Sequence, residues 1–111
     1  MLKKDSPQLF RLIHIYVIES ESTGKYYIGH TDNIERRLYE HNNSLNISYT
    51  SKYRPWKIKA VFEVSGDRGV AMNAEKFIKS QKSKKFLERI CCQNKVDLPM
   101  AQLVRVPHLR D

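Results

Sequence analysis

The 111 residues predict an α+β fold, a three-stranded antiparallel sheet flanked by helices in the order ββαβαα. Three observations lead there. Two short stretches rich in Ile, Val and Tyr are separated by a polar loop that ends in Gly24. Trp56, Ile58, Ala60, Phe62 and Val64 alternate with Lys57, Lys59 and Glu63, the period of a half-buried strand. Val70, Ala71, Ala74, Phe77 and Ile78 recur at helical spacing.

Element by element, Leu12 to Glu19 reads as the first strand, Glu19 to Gly24 as a hairpin loop, and Lys25 to Gly29 as the return strand. Asp32 with Glu35 resembles a capping box and opens a helix running to about Asn42. A polar and basic connection spans Asn43 to Pro55, and Gly66-Asp67-Arg68-Gly69 is a turn between the third strand and the second helix. Phe86, Leu87 and Ile90 give a further helix after a break near Ser83. Leu103 to Val106 is a candidate extra strand in a tail with no clear period. The expected organisation is a loose lead-in over 1–10, one domain over 11–91 and a C-terminal extension over 92–111.

Composition narrows function. The formal net charge is +8 with a pI near 9.6, which favours an anionic partner, nucleic acid first. Cys91 and Cys92 are adjacent, so no disulfide framework is implied and a reducing cytoplasm fits. Leu12 to Ile18 is too short for a membrane span. The histidines and the cysteine pair lack zinc-site spacing.

Helix geometry separates similar residues. With Ile34 and Leu38 facing the sheet, Arg37 and His41 share the edge of that face and Arg36 points to water. A half-buried arginine beside a histidine costs desolvation and is kept only with partners. On the second helix Glu75 sits just beyond the apolar arc, where a carboxylate can reach a cleft or pair with Lys79.

His14-Ile15-Tyr16, Tyr27-Ile28-Gly29, Arg37 with His41, the loop Tyr49 to Lys57 and Ala74-Glu75-Lys76-Phe77 together resemble the GIY-YIG endonucleases over about residues 11–91. His14 stands where the family has its first glycine, and the asparagine many members carry after the glutamate has its nearest counterpart in Asn94. The resemblance implies a metal-dependent DNA endonuclease with Tyr16 or Tyr27 as general base, Arg37 on the scissile phosphate, His41 orienting a tyrosine or relaying its proton, and Glu75 holding one Mg²⁺ or Mn²⁺. A phenol, ordinarily near pKa 10, must be lowered to serve as base near neutrality.

Lys52, Arg54, Lys57, Lys76, Lys79, Lys84 and Lys85, with Tyr49, Tyr53 and Trp56 among them, are the candidate nucleic-acid contacts. The expected partner is DNA, single-stranded and branched forms included, with specificity from shape or a partner protein; the expected state is a monomer or weak dimer. The alternatives are an inactive nucleic-acid-binding module and a basic protein-interaction domain.

Overall fold

The computed structural model describes residues 12–107, so the lead-in expected over 1–10 lies outside the described residues. The elements are β1 (His14–Ser20), β2 (Tyr26–Thr31), α1 (Ile34–Asn43), a 3₁₀ turn (Thr50–Tyr53), β3 (Trp56–Val64), α2 (Arg68–Ser80), α3 (Lys84–Ile90), β4 (Lys95–Asp97) and β5 (Gln102–Arg105). The strands form one antiparallel sheet in the order β2-β1-β3-β5-β4. The three expected strands are adjacent in it, with β1 between β2 and β3, and a short C-terminal hairpin adds two more.

Both faces of the sheet are covered. Ile15 and Val17 of β1, Ile28 of β2 and Phe62 of β3 meet Ala71, Ala74 and Ile78 of α2 and Ile90 of α3. On the other face Tyr16, Ile18, Trp56 and Val61 meet Ile34 and Leu38 of α1. β1 is therefore sandwiched, and its residues 15–18 are all but inaccessible. That explains its unbroken apolar run, since a strand covered on both sides needs no polar alternation.

β3 departs from the half-buried strand that its alternation predicts. Val17 pairs with Ala60 but Ile18 pairs with Ile58, so Lys59 is an extra residue in a β-bulge. The bulge exchanges the faces: Trp56 and Ile58 turn toward α1, while Ala60, Phe62 and Val64 turn toward α2 and α3. One periodic pattern thus supplies both cores.

The helices begin at side-chain caps. Asn33, rather than Asp32, caps α1, its Oδ1 accepting from Arg36 N at 3.0 Å. Asp32 instead pairs with Arg36 and Arg68, at 3.3 and 3.5 Å. The shift has a local cause: Thr31 Oγ1 accepts from Asn33 N at 3.1 Å, which delays helix entry by one residue. Asp67 and Ser83 cap α2 and α3 in the same manner, with Ser83 at the expected break.

The C-terminal hairpin is part of the core. Leu103 is 0% exposed and Val96 5%, and both pack into the cluster beneath α2 and α3. Leu103→Ala is expected to lower stability by about 2–5 kcal/mol in urea denaturation. Val104→Ala, at a side chain 38% exposed on the same strand, is expected to change it by less than about 1 kcal/mol.

Candidate active site

The site assembles where α1 crosses β1 and the edge strand β2. Tyr16 and Tyr27 both face α1, because Tyr16 lies opposite Gly29 and Tyr27 opposite Ile18 in the β1–β2 register. Tyr16 runs over Gly29. A Cβ built at Gly29 falls 2.6 Å from Tyr16 Cζ, closer than any real packing contact. The missing side chain is what lets the buried phenol lie flat across the neighbouring strand and reach α1.

There the Tyr16 hydroxyl meets His41 Nε2 at 2.8 Å, and His41 Nδ1 meets Thr50 Oγ1 at 3.0 Å. Thr50 is fixed in turn, its carbonyl accepting from Trp56 Nε1 at 2.7 Å. The Tyr27 ring stands edge-on to His41, with centroids 5.2 Å apart, and Tyr49 stacks on Tyr27 at 6.2 Å. Arg37 bonds Glu40 Oε1 at 3.0 Å and faces the Tyr16 hydroxyl. Tyr27, Arg37, Glu40, His41 and Asn46 line a cavity of about 460 Å³ with a mainly polar wall. Tyr16 is 1% exposed and is reached only behind these groups.

Glu75 approaches from the other side of the sheet. Its Oε1 is 2.7 Å from His30 Nδ1 and its Oε2 2.6 Å from Lys79 Nζ. Lys79 Nζ lies 5.6 Å from the centre of the Tyr27 ring, so it links the carboxylate to the tyrosine around the edge of β2. An unpaired edge strand makes this possible, because nothing beyond β2 separates the two faces.

Burial sets the electrostatics. It pushes the Tyr16 hydroxyl up to about 12, against the pull of the Arg37 guanidinium. It pushes His41 down to about 4, and Arg37 adds to that shift. At neutral pH the pair is a neutral imidazole hydrogen-bonded to a neutral phenol. The lowered phenol that the chemistry requires is therefore not the resting condition of Tyr16. Arg37 and Glu75 oppose each other here, the arginine favouring the phenolate and the carboxylate disfavouring it.

Glu75 is the carboxylate through which a hard divalent cation would have to bind. Both of its oxygens are already engaged, Oε1 with His30 Nδ1 and Oε2 with Lys79 Nζ. Among the described residues no group of three or more His, Cys, Asp or Glu converges. A cation at Glu75 would therefore have to displace one of these partners and draw its remaining ligands from water or substrate.

The candidate nucleic-acid residues are dispersed. Lys52, Lys57, Lys76 and Lys85 are exposed. Lys79 serves Glu75, and Lys84 bonds Gly24 O at 2.9 Å while covering the Tyr26 ring. Arg54 is a structural staple: Nε donates to His41 O and Nη2 to Ser44 O, at 2.6 and 2.7 Å, so its fork is spent on the end of α1. Asn94 is no counterpart of the family asparagine. It precedes β4 at the far edge of the sheet from β2. His14 does not line the cavity.

Sequence reasoning passes over His30, Thr50 and Asn46. His30 has a signal, since it shares the face of Ile28 that α2 covers. Thr50 and Asn46 sit in an irregular connection whose course no periodicity reveals.

A model of the GIY-YIG catalytic domain matches residues 12–88. The chain belongs to the GIY-YIG family. That membership points to nuclease chemistry. Similar proteins include a UPF0213 protein of Bacillus cereus, 41% identical over 64 residues, 58% of this chain and 65% of the relative. A UPF0213 protein of Halobacterium salinarum is 38% identical over 66 residues, 60% of this chain and 83% of the relative. One of Streptococcus pneumoniae is 34% identical over 70 residues, 62% and 68% of the two chains. The chain thus spans about 65% of the length of the Bacillus relative. No solved structure matches. No helix among the described residues is long and apolar enough to cross a membrane.

Two predictions test this construction. Gly29→Ala forces Tyr16 off its path and is expected to cost about 1–3 kcal/mol in thermal or urea unfolding. His41 has its folded pKa below the unfolded value of 6.5, so its contribution is intact above pH 6.5 and lost as pH falls toward 4. Stability is expected to drop by about 2 kcal/mol across that window, and His41→Gln to flatten the drop, as read by urea titrations at stepped pH.

Proposed function

We propose that the chain is a metal-dependent endonuclease that hydrolyses phosphodiester bonds in DNA with little sequence specificity, its choice resting on nucleic-acid shape. The observation that carries this reading is the 2.8 Å contact between the Tyr16 hydroxyl and His41 Nε2, behind a cavity that also holds Tyr27 and Arg37. A structural tyrosine needs only one partner for its hydroxyl. This one lies between an imidazole and a guanidinium, a setting that can move a proton and bind an anion.

Arg37 receives the scissile phosphate. Its present partner Glu40 is exchangeable, being a half-exposed pair of the kind worth less than about 1 kcal/mol. Tyr27, on the cavity wall, positions the attacking water. Tyr16 in its phenolate form takes the water's proton, and neutral His41, tethered through Nδ1 to Thr50 Oγ1, holds that hydroxyl in place. Arg37 favours the phenolate in this exchange. Glu75 would hold the Mg²⁺ or Mn²⁺, which when bound supplies positive charge for the departing alkoxide. Neutralising the Glu75 carboxylate also removes one influence that keeps Tyr16 protonated.

The decisive experiment is cleavage of labelled single-stranded, duplex and branched DNA with Mg²⁺ or Mn²⁺. Glu75→Gln and Tyr16→Phe are each expected to lower the rate by about 10² or more. Because the Tyr16 hydroxyl titrates near 12, the ionised fraction, and with it the rate, is expected to climb with pH from neutrality to about 9. A flat profile at saturating metal would remove Tyr16 from the proton path. Intact DNA under every metal and substrate would leave a binding module in place of the enzyme.

A further inference from the structure

A second cleft, of about 580 Å³, opens between the β1–β2 hairpin and helices α2 and α3. The stacked pair Tyr27 and Tyr49 lines both this cleft and the His41 cavity, so the two spaces meet at that pair. Its floor is apolar, built from Ile28, Ile78 and Leu87, and Tyr26 adds a third aromatic ring. Four lysines, at positions 25, 79, 82 and 84, stand around it, and no carboxylate does. Lys79 and Lys84 already lie against the Tyr27 and Tyr26 rings. Lys82 holds a left-handed conformation, φ 49°, the one non-glycine residue to do so among the described residues. It stands just past the C-cap of α2, where a left-handed residue ends the helix.

An apolar floor, flat aromatic rings and a rim of ammonium groups match one chemistry, a nucleobase with its phosphates. Rings stack on bases of any identity, and lysines take the backbone charge. The volume lies in the range of sites that enclose a small ligand of about nucleotide size. A paired base would have to leave its stack to enter, at a cost of a few kcal/mol, whereas an unpaired one enters without breaking a pair.

We infer that this cleft binds one unpaired nucleotide next to the phosphate received by Arg37, and so directs the site to single-stranded or unpaired nucleic acid. The inference rests on the nuclease reading for the position of that phosphate, but binding in the cleft does not require cutting.

The test is fluorescence anisotropy with the full chain in EDTA at moderate salt. The probes are a short labelled single strand, the same strand carrying one abasic position, and the matched duplex. Tyr26→Leu, which removes the ring and keeps the apolar packing, and Lys82→Ala are each expected to weaken single-strand binding about tenfold. Lys95→Ala, an exposed lysine on the far edge strand, matches the charge change and is expected to leave it within about twofold.

The abasic position, moved along the strand, is expected to cost the parent a similar factor at one place only, and to cost Tyr26→Leu nothing further. Equal losses on single strand and duplex, or no abasic effect at any position, would overturn the inference. Cleavage assays separate the two readings. Cleft-dependent binding without cutting sinks the nuclease alone, and cutting that ignores Tyr26 and Lys82 sinks the cleft alone. Absence of nucleic-acid binding sinks both.

Discussion

Everything in the site hangs on the burial of β1 between two helical layers. A strand covered on both faces must place each side chain against a packed neighbour, and the Tyr16 ring finds its room across Gly29, where a side chain would block it. That direction leads the hydroxyl to α1. The helix must then present a partner there, because a buried hydroxyl without one costs on the order of 1–3 kcal/mol. His41 meets that demand, and Thr50 meets the demand that His41 creates. A single steric constraint propagates into a chain of satisfied polar groups from β1 through α1 to the 3₁₀ turn.

The same chain explains the electrical character of the site. Tyr16 and His41 are both buried, so both are held neutral, the phenol by a raised pKa and the imidazole by a lowered one. Charge enters only at the rim, through Arg37 with Glu40 on one side and Glu75 with Lys79 and His30 on the other. Arg37 and Glu40 sit partly in solvent, so that pair exchanges at little cost, whereas Glu75 and His30 are largely buried and more firmly paired. The neutral interior is the fixed part; the Arg37 side of the rim is the part that substrate can rearrange.

The edge position of β2 matters as much. In the middle of the sheet, β2 would keep α1 and α2 on opposite faces with no path between them. At the edge, Lys79 reaches around it to the Tyr27 ring, and Tyr27 with Tyr49 lines cavities on both sides. The hairpin of β4 and β5 closes the other end of the sheet, where Leu103 completes the core far from the chemistry.

The order of the first six elements, the sheet-facing stripe of α1 and the break at Ser83 were legible in the sequence, because local periodicity and turn chemistry decide them. The resemblance carried by Tyr16, Tyr27, Arg37, His41 and Glu75 likewise follows from residues at fixed places along the chain. Other features depend on contacts between segments remote in sequence. The bulge at Lys59 arises because β3 has to serve two cores, which no single period encodes. Arg54 looked like a phosphate contact until the end of α1 supplied carbonyls for its fork. His30 acquires its role only when α2 lays Glu75 beside it. The sequence by itself determined which groups were present and which element bore each. Only the tertiary structure decided which of them are neutral, which are paired and which still face an open cavity, because burial and electrostatic partnership are properties of the packed chain.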